Sequence, residues 1–472
     1  MTEQPLNRRR CVKTLATQLM PVAFTAMATH QSLTAGESAA PMESRATHFP
    51  ARAKNVIMLF MNGAPSHVDT FDYKPELIRH AGSDSKRPGK MLPPGWKFRQ
   101  RGDSGLWISD LFPFLSRQAD ELCLLKGMHG DQPNHPTAER AAHTGSGQFV
   151  RPSLGAWSVY GLGTENADLP GFVVMGEGGR SGNVNFGSGF LPARYQATRV
   201  EPALDLASAG GAPRRSGRRG NPSSSSDPIP NLKNDTLDRR TQRVQLDLLN
   251  DLNAETLRKE VYQPQVEGIM QSYELAFRMQ SSMPDLMDLS KETETTKSLY
   301  GIGDPSTDSF GTQCLLARRM VESGVRFIEL SSGGWDHHTG LKTELPQKCQ
   351  SIDRPIAGLL ADLKQRDLLK DTLVIWAGEF GRTPHATGDG RGHNNKGYTT
   401  WMAGGGVKGG FSYGATDGLG YSAVEGRMHA HDWHATILHL LGLDHERLTY
   451  RHAGRDFRLT NVGGKVAHDI LS

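Results

Sequence analysis

Residues 325–340 read VRFIELSSGGWDHHTG. The first half of this stretch alternates and carries β-branched residues, which predicts a short buried strand; Gly333 and Gly334 then break it, and Asp336, His337 and His338 follow. A strand therefore runs into a polar loop rich in metal-ligating groups. In open α/β sheets ligands gather beyond the carboxyl ends of parallel strands, where loops converge over a rigid edge. One carboxylate and two imidazoles at such an edge suit a divalent transition metal, with zinc the first candidate.

The same arrangement recurs on both sides. Downstream, Leu341 to Gln365 has the pattern of a helix and feeds DTLVIWAGEFGRTP, residues 371–384. Strand, helix, strand implies a parallel βαβ unit whose second strand, Thr372 to Ala377, should lie with its carboxyl end near that of the first. Glu379 then stands two residues past a strand end as a candidate ligand, with Arg382 just beyond. The loop GDGRGHNNKG brings His393, and Tyr398 to Ala403 returns as strand. Upstream, the continuously apolar NVIMLFM of residues 55–61 predicts a fully buried strand, and the turn after it carries Asp69, a candidate ligand by the same placement.

Residues 131–147, DQPNHPTAERAAHTGSG, predict a short helix with Pro136 in its first turn. Helix amino ends favour anions, so Thr137 there suits either a nucleophile or an anion-binding hydroxyl, or simply a cap. A final amphipathic helix over HAHDWHATILHLLGLD puts His431 and His434 on one face, where buried structural histidines are expected.

Lysine plus arginine number 54 against 50 aspartates and glutamates, a margin too small to indicate a nucleic-acid partner. Of four cysteines none has CxxC spacing, so neither a disulfide framework nor a cysteine metal site is expected. Residues 1–40 predict a removable export leader: NRRRCVK forms a twin-arginine-like arrangement ahead of a weakly apolar run, and small residues follow. No later segment is apolar for the ~18 residues a membrane span requires. Residues 53–472 then form the folded domain. Within it, residues 207–231, with two arginine pairs and four consecutive serines, read as a low-complexity insertion, and residues 237–283 as a helical insertion. The glycine-dense Gly176 to Gly189 requires tight turns or a backbone close to a ligand.

Several of these pieces resemble the alkaline phosphatase and sulfatase superfamily. TLVIWAGEFGRTP is similar to its strand ending in a metal motif, GRGHNNKGYTTWMAGGGVKGG to its late histidine loop, and HDWHATILHLLGLD to its C-terminal helix. Together with NVIMLFMNGAPSHVDTFDYKPEL, RPSLGAWSVYGLGTEN and GGWDHHTG they resemble more closely a secreted branch, the domain of unknown function 1501 family. The resemblance implies an α/β fold of the alkaline-phosphatase kind, a mostly parallel β-sheet sandwiched between helices. It implies one or two divalent ions, zinc or calcium, held by Asp69, Asp336, His338, Glu379 and His393. It further implies hydrolysis of a phosphate or sulfate ester, on a small molecule or a polysaccharide, in the periplasm or outside the cell. His135, Pro136, Thr137 and Arg140 match the superfamily's nucleophile helix in outline, with Arg140 or Arg382 steadying the anion. Glu379 and Phe380 depart from the superfamily, which has Asp followed by His or Asn, and no cysteine or serine stands at the nucleophile position. A non-catalytic envelope protein that keeps the fold as a metal-binding module is the rival expectation.

The leader is testable directly. Replacing Arg8, Arg9 and Arg10 by lysine keeps the charge but removes the guanidinium pattern, and should leave the precursor in the cytoplasm on fractionation. Normal export of the triple variant would refute the twin-arginine reading.

Overall fold

The computed structural model describes residues 42–84, 89–201, 236–259 and 264–472. The expected leader and the low-complexity insertion at 207–231 lie outside the described residues. The strand β1 (Asn55–Met61) is buried along its whole length. Such a segment can be stable only with neighbours on both edges and layers on both faces. It therefore takes the middle of a nine-stranded sheet.

In chain order the sheet also contains β2 (Leu122–His129), β3 (Phe172–Gly176), β4 (Thr198–Val200), β5 (Phe327–Ser332) and β6 (Thr372–Ala377). A separate antiparallel hairpin follows, made of β7 (Gly381–Thr387) and β8 (Gly390–Asn394). The sheet is completed by β9 (Tyr398–Ala403), β10 (Phe411–Tyr413) and β11 (Met428–His429). The spatial order is β10-β2-β9-β6-β1-β5-β3-β4, with β11 also on β2. Only β9 is antiparallel to its neighbours, so the sheet is mostly parallel.

Helices cover both faces. They are α1 (His135–Thr144), α2 (Leu154–Leu162), α3 (Arg239–Lys259), α4 (Pro264–Met287), α5 (Asp308–Glu322), α6 (Leu341–Gln365) and α7 (Ala430–Leu440). Side chains alternate between faces along each strand. Ile57 and Leu59 accordingly join the core cluster beneath α5 and α6, and Met58 and Phe60 the cluster beneath α2 and α7. No helix among the described residues is long and apolar enough to cross a membrane. The three cysteines after the leader, Cys123, Cys314 and Cys349, are free and buried.

Two expectations are refined. The β5-α6-β6 crossover exists, but β5 and β6 are not neighbours, because β1 lies between them and pairs in parallel with each. The most apolar strand claims the centre. The loop expected to carry His393 is instead the β7–β8 hairpin, in which His393 lies opposite Arg382.

Helix α1 is tied to the sheet through an ionisable pair. His143 Nε2 lies 2.9 Å from Glu329 Oε1 on β5, both side chains are buried, and His143 Nδ1 lies 2.7 Å from the Glu139 carbonyl. Burial alone would lower the His143 pKa, but the Glu329 carboxylate outweighs it and raises the value. Deleting one partner strands the other in the core. Glu329→Ala should cost about 3–5 kcal/mol in chemical denaturation, the usual penalty for breaking a buried pair. Glu329→Gln, which can keep the hydrogen bond, should cost clearly less; equal losses would show that the site responds to volume alone.

Candidate metal centre

The carboxyl ends of the adjacent parallel strands β5, β1 and β6 lie at one edge of the sheet. Beyond them run the turn after β1, the loop after β5 with Asp336 and His338, and the turn after β6 with Glu379. The β1 turn fits against the β5 loop because Gly63 has a φ of +111° and no side chain. A Cβ there would lie 2.7 Å from the Asp336 backbone nitrogen. The Gly63 N–H donates to Glu379 Oε1 at 3.0 Å, joining the β1 and β6 ends.

Helix α1 brings His135 over this edge, and the β7–β8 hairpin brings His393. Ligand atoms of His135, Asp336, His338 and His393 all lie within 4.8 Å of one another. Asp336 is the hub. Its Oδ1 lies 3.0 Å from His338 Nε2 and 3.5 Å from His393 Nε2, and its Oδ2 lies 3.2 Å from His135 Nε2. Arg382 donates to Oδ1 and Arg180 to Oδ2, each at 2.7 Å. Burial would raise the Asp336 pKa, but hydrogen bonds from His135, His393 and Arg382 outweigh it and hold the carboxyl far below the usual range.

A second group, His135, Glu139 and Glu379, shares the His135 ring. Glu379 Oε1 lies 2.5 Å from His135 Nδ1. Glu139 accepts the Ser181 N–H at 2.9 Å, and its pKa is raised by burial and by the Glu379 carboxylate. Glu139 Oε1 and Glu379 Oε2 are buried with no hydrogen-bond partner among the described residues, and the buried His135 Nε2 has only its 3.2 Å contact with Asp336 Oδ2. Three nitrogens and one carboxylate oxygen are a donor set suited to zinc. Unpartnered buried donor atoms in the same place are what a bound cation would satisfy. The residues therefore fit a divalent ion.

The five expected ligands separate into groups. Asp336, His338 and His393 converge. Glu379 is adjacent through His135 and lies in the second group. Asp69 belongs to neither. It is fully buried and bound by Arg391, whose Nε donates to Oδ2 at 2.6 Å and Nη2 to Oδ1 at 3.1 Å, while the Ser66 hydroxyl donates to Oδ2 at 2.5 Å. Its charge is thus balanced by a guanidinium. His337 and His338, inseparable by sequence, are distinct here. His338 faces the cluster, whereas His337 is buried apart from it, its pKa pushed down to about 4 by burial and by Arg382 and Lys348.

Among the residues expected to act on substrate, His135 is inside the cluster. Thr137 is not a member: its hydroxyl donates to Asn134 Oδ1 at 2.7 Å, and Asn134 rather than Thr137 caps α1. Arg140 is on α1 with its guanidinium directed to the Gln148 carbonyl at 3.4 Å. Arg382 is buried and bonded to the Gly63 and Ala64 carbonyls as well as to Asp336. It is built into the edge and cannot swing toward a ligand. The exposed guanidinium at the cluster is Arg180, which the sequence reading missed. The available signal was its position inside the glycine-dense Gly176–Gly189 segment. His431 and His434 bond the Gly145 and Ala142 carbonyls at 2.8 and 2.6 Å, the structural role expected of them.

Fold and site together define a mixed α/β protein with a histidine- and carboxylate-rich candidate metal centre at the carboxyl edge of its sheet. The chain belongs to the family described as protein of unknown function (DUF1501), whose model matches residues 53–471. No curated protein matches the sequence. Among solved structures, the chain is similar to PsFucS1 sulfatase from Pseudoalteromonas sp., at 14% identity over 84% of this chain and 69% of that one, with a TM-score of 0.34. It is also similar to Ps i-CgsB in complex with k-i-k-neocarrahexaose, at 10% identity over 83% and 72% of the two chains, with a TM-score of 0.35. Alkaline phosphatase from the Antarctic bacterium TAB5 matches at 10% identity over 75% and 92%, with a TM-score of 0.30.

The Asp69–Arg391 pair gives a sharp expectation. Asp69→Asn should lower stability by about 3–5 kcal/mol, because Arg391 loses its counter-charge in the interior, yet leave metal bound per folded chain unchanged. Elemental analysis of the folded variant checks this, and loss of the ion would place Asp69 among the ligands.

Proposed function

We propose that this protein is an exported metal-dependent hydrolase of phosphate or sulfate esters, built around one divalent ion held by His135, Asp336, His338 and His393. The observation that carries the reading is the convergence of these four side chains, from a helix, a post-strand loop and a hairpin, beside an exposed guanidinium. One imidazole serves one ion. With His135 Nδ1 against Glu379, its Nε2 is the nitrogen free to ligate, and Glu379 acts as the outer carboxylate that fixes tautomer and ring orientation.

Zinc suits the three imidazoles best, and calcium would favour a richer oxygen set. An ion there supplies Lewis-acid polarisation of an ester oxygen and lowers the pKa of an attacking water. Arg180 would exchange part of its Asp336 contact for the anionic oxygens of the ester, a planar, bidentate match. Arg382 would keep Asp336 ionised and aligned throughout. Water rather than a side-chain hydroxyl is the attacking group in this reading, because the Thr137 hydroxyl is committed to Asn134.

That same observation supports the second reading, a metal-binding module without turnover, since no cysteine is among the clustered residues and the Thr137 hydroxyl is committed to Asn134. Elemental analysis of the purified protein, followed by assay on aryl phosphate and aryl sulfate esters with zinc or calcium restored, separates the two. The hydrolase reading expects one ion per chain and turnover. His135→Ala should lose both, Glu379→Gln should weaken metal binding by about 10–100-fold, and Thr137→Ala should leave turnover near wild type. One ion with no turnover on any ester would establish the binding module.

A further inference from the structure

We propose that the face formed by Phe149, Arg151 and the hairpin at 450–457 binds an acidic polysaccharide, gripping its anionic groups with Arg151 and Arg455 and stacking a sugar ring on Phe149. This goes beyond the ester-hydrolase reading, because binding there requires neither the metal nor turnover.

The geometry is a ladder of rings and cations. The Arg151 guanidinium lies 5.8 Å from the Phe149 ring centroid and 5.6 Å from that of Phe457, and the Arg455 guanidinium lies 4.8 Å from Phe457 on its own. Phe457 packs 4.9 Å from Phe190, which in turn stacks on His452 at 5.0 Å and an interplanar angle of 14°. This backing makes the ladder rigid. Phe149 is nonetheless 61% exposed and adjoins Val150, itself 54% exposed, so the two form an apolar surface beside the arginines.

The charges are the second observation. Neighbouring arginines are neutralised locally: Arg451 by Asp456 at 3.2 Å and Arg458 by Glu446 at 2.9 Å. Arg151 and Arg455 have no carboxylate within ion-pair distance among the described residues. Arg151 instead meets burial and the like charge of Arg455, and both lower its pKa. Two guanidiniums held near one another without a counter-ion form a site that an external anion would stabilise.

Anion and ring together specify the ligand. The C–H face of a sugar ring matches the exposed phenyl, while sulfate, phosphate or carboxylate substituents match the guanidiniums. A nucleic acid carries a denser run of charge and calls for a longer basic track with several stacking platforms. Two guanidiniums without a carboxylate partner, of which Arg455 already donates to Asn461 Oδ1 at 3.1 Å, do not supply one on a chain of formal net charge +4. The face is joined through the backbone to the segment that carries Arg180, since the Ser153 N–H donates to the Gly187 carbonyl at 3.1 Å and Phe190 directly follows that segment.

The test is affinity electrophoresis and calorimetry of the full-length protein against dextran sulfate, neutral dextran and single-stranded oligodeoxythymidylate at one fixed salt concentration. The proposal expects binding to dextran sulfate, with neutral dextran and the oligonucleotide at least tenfold weaker. The double variant Arg151→Gln, Arg455→Gln should lose about tenfold or more, and Phe149→Ala several-fold, with metal content and thermal melting unchanged. The double lysine variant, which keeps charge but loses the bidentate fork, should fall between the wild type and the double glutamine variant. Dextran sulfate binding that is absent, or equal in wild type and double glutamine variant, overturns the proposal. So does oligonucleotide binding as tight as that of dextran sulfate.

Discussion

The carboxylate of Asp336 is the interaction on which the rest of the site depends. Two guanidiniums and three imidazoles address its two oxygens. A lone carboxylate at a half-buried edge would pay for its desolvation by taking up a proton. Here Arg382 prevents that, anchored by the backbone carbonyls of Gly63 and Ala64 at the end of the central strand. The sheet thus holds the arginine, the arginine holds the carboxylate, and the carboxylate gathers His135, His338 and His393. Because each link is short, and Arg382 and His135 are buried, the cluster is preorganised by the fold.

The comparison between Asp336 and Asp69 shows how one fold treats two acidic residues placed alike. Both follow parallel strands, at the carboxyl ends of β5 and β1. Asp69 is fully enclosed and satisfied by Arg391 and Ser66, so an added cation there would have to displace a guanidinium already in bidentate contact. Asp336 shares its oxygens among imidazoles that can become ligands. The difference in role comes from partners: Asp69 meets Arg391, more than three hundred residues away, whereas Asp336 meets His338 and Arg382 within sixty residues and His135 and Arg180 further upstream.

That distance explains what the sequence made legible. Local patterns located β1, β5, β6, β9 and α6 closely, since continuous apolar runs and helical periodicity are written within each segment. Placement after strands was sufficient to bring Asp336, His338 and His393 together, because parallel strands deliver their following loops to one edge. Placement was not sufficient for Asp69, whose partner Arg391 sits in a glycine-rich hairpin with no periodic signature. Nor did it reveal Arg180, whose role depends on how a dense run of glycines folds back over α1. Strand order is likewise a competition among strands for the centre, which no single segment encodes; β1 took the place between β5 and β6.

Helix α1 presents the remaining information in a form the sequence did contain. His135, Glu139 and His143 stand four residues apart, on one face of the helix. Read as an amphipathic stripe they are anomalous, because all three are polar and all three are buried. Each meets a different part of the molecule: His135 the Asp336 and Glu379 carboxylates, Glu139 the backbone N–H of Ser181 beside Arg180, and His143 the Glu329 carboxylate on the sheet. A polar face can be buried only if every group on it finds a partner, so the spacing itself implies ionisable residues from distant segments opposite it. The helix is therefore fixed at its far end by His143 in the core and presents His135 at its near end to the edge of the sheet. The residue that stands in the candidate metal cluster is held in place by one two turns away that never touches that cluster.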